Sequence, residues 1–355
     1  MKRVLLVSPL PPPVGGIASW TVNILDYFKE YSNPDYELIH LNSSMRFRSI
    51  TSVSMVSRIF YGILNFIFFF GKFFRVILKK PDVCHITSSA SFGLFKELVL
   101  VLICKAMGIR AIIHYRFGRI PELEQSQNWE WKLLSLINRM VYHVIVLDEN
   151  SLKTLYQYGC NVSLIGNPIS PELMKFKIEN FKAEEDSILF VGHVTRKKGV
   201  FELFSALKDL NPSCNLHILG PFESNIKTEL EEIYNPKDRV FFHGALNKNQ
   251  VYKMMLESRM LVLPSHTEGF PNVVIEGMAL GCSIIASSVG AIPEMLAGDR
   301  GIIVPPCNVS ELSKAISKLL NNDGERLGLS NNAERFALEN YSMESIVKKL
   351  EKIWL

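Results

Sequence analysis

The sequence predicts an α/β protein made of two Rossmann-like units, and three observations carry that prediction. Short apolar runs recur along the 355 residues with helical stretches between them, the rhythm of parallel sheets with helices on both faces. The runs fall into two sets of six. A charged stretch without a strong apolar period, 171–186, follows Asn167-Pro168-Ile169-Ser170 and separates the sets. The length suits two domains with a core each. Hydrophobic content of 48% against 21% charged describes a globular chain and excludes a disordered one. A net charge of +4, without a long basic tail, argues against a nucleic-acid partner.

The first set of strands is predicted at 3–8, 36–41, 82–86, 111–115, 141–147 and 162–165. The run at 3–8 is too short for a signal peptide, and Pro9, Pro11, Pro12 and Pro13 interrupt it, so it reads as a first buried strand. Gly15 and Gly16 follow, just before a helix at 18–30. Paired glycines let backbone approach a ligand closely, and the next helix points its N-terminus at it. The stretch 59–78, IFYGILNFIFFFGKFFRVIL, holds an apolar run over 59–71 that is shorter than the ~20 residues a bilayer span needs. Arg46, Arg48, Arg58, Lys72, Arg75, Lys79 and Lys80 ring it. Two readings stay open: a helix buried against the first sheet, and a helix lying in the interface of an anionic membrane. His114 stands where the strand beginning at 111 ends, at the edge where open parallel sheets bind ligands. The six cysteines show no metal-type spacing, and most lie in apolar runs and read as small buried hydrophobes of a reducing cytoplasm.

The second set is predicted at 187–191, 215–219, 240–242, 260–263, 283–286 and 301–304, with a helix at 250–258 and an amphipathic end at 342–355. The richest segment follows the strand at 260–263: Glu268-Gly269-Phe270-Pro271-Asn272-Val273-Val274-Ile275-Glu276. Pro271 suits a helix start and a helix is expected from Asn272. Its free N–H groups and dipole make an anion site. Glu268 on the loop and Glu276 two turns on are expected to face one cleft. Acidic groups beside an anion site suit the hydroxyls of a ribose or hexose whose diphosphate lies on the helix end.

This Glu-x7-Glu pattern resembles the signature of family 4 retaining glycosyltransferases (glycosyl transferases group 1). Phe190-Val191-Gly192-His193-Val194-Thr195-Arg196-Lys197-Lys198-Gly199 resembles the family's phosphate loop. Gly281-Cys282-Ser283, Gly290-Ala291-Ile292-Pro293-Glu294 and Gly301-Ile302-Ile303-Val304 resemble its later strands and turns. The resemblance covers about 188–310 and implies a GT-B fold, two Rossmann-like domains whose parallel sheets face a central cleft. It implies an acceptor-binding domain at 1–168, a nucleotide-sugar domain at 169–341, and a last helix at 342–355 packed back on the first.

For the site, the resemblance implies that Lys198 binds the donor phosphates. The family's partner arginine is replaced by His193, and Arg196 is the candidate for the missing charge. Glu276 would bind ribose hydroxyls and Glu268 the donor hexose, with Gly192, Gly269, Phe270, Pro271, Asn272 and Val273 lining the donor. Gly15 and Gly16 would lie beside the donor phosphate, His114 would touch the sugar, and Arg116 and Arg119 would meet an acceptor phosphate. Loops at 42–58 and 117–128 have the composition of an acceptor dock. The reaction implied is metal-independent transfer of a hexose with retention, since no Asp-x-Asp triplet occurs. The donor would be a nucleoside diphosphate sugar, most often UDP-linked, serving as co-substrate with no further cofactor. The acceptor would be a saccharide or polyprenyl-linked glycan in bacterial surface polysaccharide assembly. The setting would be the cytoplasm, at the inner face of the plasma membrane if 59–78 meets lipid. Two alternatives remain: nucleotide-sugar 2-epimerisation, and a non-catalytic sugar-nucleotide-binding scaffold.

Overall fold

The computed structural model describes residues 1–12, 15–31, 35–44, 55–179, 185–210, 213–236 and 238–355. Arg46 and Arg48, most of the 42–58 loop, and Pro13 and Val14 of the proline-glycine segment lie outside the described residues. The chain divides into two compact units, Met1–Ile165 with Val347–Leu355, and Gly166–Ile346.

The first unit holds six strands, β1 (Lys2–Ser8), β2 (Tyr36–Asn42), β3 (Val83–Ser88), β4 (Arg110–Tyr115), β5 (His143–Val146) and β6 (Val162–Leu164). They form one sheet in the order β2-β1-β3-β4-β5-β6, parallel throughout. Val4 to Val7, the whole of β3 and Ala111 to Tyr115 are buried, as expected for strands covered by helices on both faces. β5 is shorter than its apolar run, because the Val141 N–H still bonds Ile137 O of the preceding helix. The helix Met55–Ile77 buries Phe70, Phe73 and Ile77, a helical i, i+3, i+7 stripe, in the core with Leu5, Ile86 and Ile113. Among the described residues no helix is long and apolar enough to cross a membrane.

The last helix, Met343–Trp354, belongs to this unit from Val347 onward. Its hold is specific: Trp354 is fully buried and donates Nε1–H to His85 Nδ1 at 3.0 Å. Tyr36 donates to Glu351 at 2.9 Å, and Arg110 to the Trp354 carbonyl at 2.9 Å.

The second unit repeats the plan with β7 (Glu185–Val191), β8 (Asn215–Leu219), β9 (Val240–Gly244), β10 (Ser258–Leu263), β11 (Ser283–Ser287) and β12 (Ile302–Val304). The order is β12-β11-β10-β7-β8-β9, again parallel. Ile188, Phe190, Ile218, Val262 and Ile285 pack with Leu203, Phe204 and Leu207 of the helix Val200–Leu210. The stretch after Ser170, which lacks a periodic signal, nonetheless opens with the helix Pro171–Glu179. Pro171 fits a first helical position, and Ser170 Oγ accepts from Leu173 N at 3.1 Å.

Candidate functional site

In the second sheet β7 pairs with β8 on one side and β10 on the other, so the chain leaves its first strand in one direction and returns on the opposite flank. The carboxyl ends of β7 and β10 therefore frame the crevice where open α/β sheets take ligands. Glycines let the loops above that crevice touch. Gly199 (φ 69°) ends the short 3-10 turn Arg196–Lys198, and the place of its missing Cβ is occupied by the Pro264 carbonyl. Gly220, after β8, meets the Gly192 carbonyl in the same way. On the other flank Gly290 (φ 56°) has no room for a Cβ against the carbonyls of Glu268 and Gly269, and the Ala291 N–H donates to Gly269 O at 2.9 Å. The segment after β10 is thus held between the β7 and β11 loops by backbone.

These approaches join residues 70 positions apart: Lys198 Nζ lies 2.6 Å from Glu268 Oε1. Ser265 Oγ donates to the same oxygen at 2.7 Å. The His266 N–H donates to Lys197 O at 2.9 Å, a second tie between the loops. Lys198 keeps 31% of its side chain exposed and Glu268 only 10%, so the ammonium is the more accessible partner.

The helix expected at Asn272 runs Asn272–Ala279, with Pro271 in extended geometry as its cap. Asn272 Oδ1 accepts from Asn167 Nδ2 at 2.6 Å. Phe270 meets the Tyr341 ring edge-on at 5.8 Å, and a Cβ on Gly166 would lie 2.5 Å from its Cζ. Its ring thus anchors the loop. Glu276 stands on the helix, half-buried, and burial pushes its carboxyl up to about 7, with the Lys248 charge opposing and Glu172 adding. The arrangement offers a partly accessible cation, the Glu268 carboxylate and a helix start at one crevice, with Glu276 further along that helix, groups suited to a diphosphate with hydroxyls attached.

Other sequence-predicted residues are placed differently. Arg196 forms an ion pair with Glu229 and stacks on Phe201, 3.9 Å from the ring centre; His193 is exposed. In the first unit, Gly15 caps the helix Gly16–Glu30 in extended geometry. A Cβ on either glycine would meet nothing, so the protein's own packing does not require them. His114 departs from expectation. The strand ends at Tyr115 as predicted, with His114 paired to Thr87 in the ladder, but the His114 side chain is fully buried. Nδ1 lies 3.2 Å from His85 Nε2 and Nε2 lies 3.1 Å from Arg116 Nη1. Burial, with the Arg116 charge, holds its pKa well below the ordinary value. In this conformation it presents no atom to a sugar. Arg116 lies over Trp20. Arg119 gives both terminal nitrogens to Glu130 at 2.8 Å.

Sequence reasoning passed over Ser265 and His85. A hydroxyl three residues before a glutamate and a histidine inside an apolar strand carry no signal until the fold supplies their partners.

Two parallel-sheet units with a switch-point site define the α/β GT-B class, and solved structures share that architecture. Sucrose-phosphate synthase from Thermosynechococcus elongatus superposes with a TM-score of 0.74 at 19% identity, covering 100% of this chain and 98% of that one. Anabaena HepE in complex with UDP gives 0.72 at 16% identity, covering 99% of each. Residues 173–336 match the model of glycosyl transferases group 1. An uncharacterized glycosyltransferase of Methanocaldococcus jannaschii is 29% identical over 175 residues, 48% of this chain and 45% of that protein. The capsular polysaccharide biosynthesis glycosyltransferase CapM of Staphylococcus aureus is 28% identical over 197 residues, 51% of each. The chain spans about half the length of these curated relatives.

Proposed function

We propose that this protein is a glycosyltransferase that takes a hexose from a nucleoside diphosphate sugar, UDP-linked by the likeness to a UDP-bound neighbour, and retains anomeric configuration. The observation that carries the reading is the Lys198–Glu268 pair at the β7/β10 crevice, with Glu276 on the helix that follows. Lys198 and the helix start stabilise the departing diphosphate. Glu276 accepts from the ribose diol, and Glu268 from the hexose. No metal or cofactor is called on. No carboxylate is assigned as a covalent nucleophile, so the leaving phosphate itself deprotonates the acceptor on the face it departs from. Arg196 is left to its pair with Glu229, and His114 acts through the packing of the first unit.

Likeness to CapM supports surface polysaccharide assembly, and a lipid-linked acceptor suits the first unit's surface. Phe66, Ile67, Phe68 and Phe74 of the helix Met55–Ile77 are exposed, as are Lys72, Arg75, Lys79 and Lys80. Lys96 lies over Phe69, 5.5 Å from the ring centre, linking this helix to Gly93–Ala106. There Phe92, 80% exposed, and Phe95 pack on Trp129. Aromatic groups beside lysines and arginines suit the inner face of an anionic membrane.

Thermal stabilisation by a panel of nucleoside diphosphates, followed by acceptor-dependent release of the diphosphate, tests the reading. One nucleotide should stabilise wild type and neither Lys198→Ala nor Glu276→Ala. Binding without acceptor-dependent release would favour a scaffold, and no binding would sink the donor site. An inverted anomer by NMR would refute retention.

A further inference from the structure

We propose that Glu202, His266 and Cys307 form a site for one divalent transition-metal ion of the zinc type. The three come from separate parts of the second unit: the first turn of the helix Val200–Leu210, the loop after β10, and the turn after β12. Their donor atoms all lie within 4.8 Å of one another, and His266 Nε2 is 2.9 Å from Glu202 Oε1. Around a tetrahedral zinc, with bonds of about 2.0–2.3 Å, ligand atoms stand roughly 3.4–3.6 Å apart.

Two further observations mark this cluster as more than a surface coincidence. Glu202 Oε2 is buried and has no hydrogen-bond partner among the described residues, an acceptor that native proteins rarely leave unused. Cys307 has φ 57°, the left-handed region where glycine would sit without strain. The turn instead bears a thiol, directed at the Glu202–His266 pair. Cys307 is exposed, whereas Cys84, Cys104, Cys214 and Cys282 are buried and Cys160 is half-buried.

The donor set fits the ion. One thiolate and one carboxylate neutralise a divalent charge, and the imidazole binds neutral. Sulfur with imidazole nitrogen selects zinc-like ions over magnesium or calcium. On binding, the thiol proton passes to solvent and the fourth position takes water. The ion ties the three segments together. Because the His266 N–H holds Lys197 O, it also steadies the turn that carries Lys198. Its role is that of a clamp, separate from any reaction step.

Titration of the reduced full chain with Co2+ and then Zn2+ tests this. Wild type should bind one ion with thiolate-to-cobalt absorption, which Zn2+ displaces. His266→Ala should weaken binding at least tenfold, and Cys307→Gly should abolish it. Glycine suits the backbone at 307, so this variant should melt no lower than wild type in the absence of metal. Zn2+ should raise the melting temperature of wild type only. The proposal is overturned by no stoichiometric binding, by cobalt absorption unchanged in His266→Ala (a lone thiol), or by a Zn2+ shift that persists in Cys307→Gly.

Discussion

Replacing Glu276 by Gln should stabilise the second unit at pH 8 while weakening its hold on a nucleoside diphosphate. Burial pushes the Glu276 carboxyl from 4.5 to about 7, so the folded state binds the proton more tightly than the unfolded chain. Stability therefore falls as pH rises through that window. At about 1.4 kcal/mol per pKa unit the shift sets a ceiling of about 3.5 kcal/mol. Part of the carboxylate meets water, so roughly 1–3 kcal/mol is expected after screening. Gln keeps the shape and removes the charge, so this pH slope should vanish. A ribose diol would donate two hydrogen bonds to the ionised form, lowering the pKa and releasing a proton on binding near neutral pH. Trp20, Trp129, Trp131 and Trp354 all lie in the first unit, so tryptophan fluorescence is blind to this effect. Urea unfolding by far-UV circular dichroism at pH 5 and pH 8 reports it. Calorimetry of nucleotide binding in two buffers of different ionisation enthalpy counts the proton. Equal or lower stability of Glu276→Gln at pH 8, or unchanged nucleotide affinity, would refute the reasoning.

Gly290→Ala forces a Cβ against the Glu268 and Gly269 carbonyls at φ 56°. It should lower stability by about 2–4 kcal/mol in urea unfolding and abolish nucleotide-induced stabilisation. In the first unit Glu97 is buried, which lifts its carboxyl to about 7. Glu97→Gln should therefore remove about 2–3 kcal/mol of stability loss between pH 4.5 and 7, this time visible by tryptophan fluorescence. Paired Phe92→Ser and Phe95→Ser should cut co-flotation with anionic vesicles severalfold and leave nucleotide binding unchanged; equal flotation would remove the membrane from the picture.

The strands were legible because each is an apolar run bounded by turn residues, and the parallel sheets follow from their alternation with helices. The Glu268–Glu276 segment was legible because a helix start beside two carboxylates has chemical meaning in any fold. What stayed hidden depended on which side chains and which backbones touch. His114 reads as a strand-end group, yet its ring is fully buried between His85 and Arg116. Arg196 reads as a spare cation, yet Glu229, 33 positions on, takes it up. Gly290 reads as a turn glycine, although the Glu268 and Gly269 carbonyls that exclude a Cβ there come from another loop.

The Lys198–Glu268 contact has a consequence for how a donor would be recognised in two parts. One Glu268 oxygen, Oε1, receives both the ammonium and the Ser265 hydroxyl, so this oxygen is already engaged. A diphosphate offers Lys198 more negative charge than a carboxylate does, and the ammonium is the more exposed partner. Its transfer to phosphate would leave Glu268 held by Ser265 and short of a donor, ready for a sugar hydroxyl. Phosphate binding would thus free an acceptor site for the hexose at Oε1, which a free monosaccharide would meet already occupied. A partly buried pair of this kind contributes about 1 kcal/mol, which sets a coupling of roughly fivefold between the two halves of the donor. Glu268→Gln should then bind the nucleoside diphosphate at least as tightly as wild type, because competition for Lys198 is gone, while losing the affinity that the sugar adds. Weaker nucleotide binding by Glu268→Gln in calorimetry would show instead that Glu268 holds Lys198 in place for phosphate.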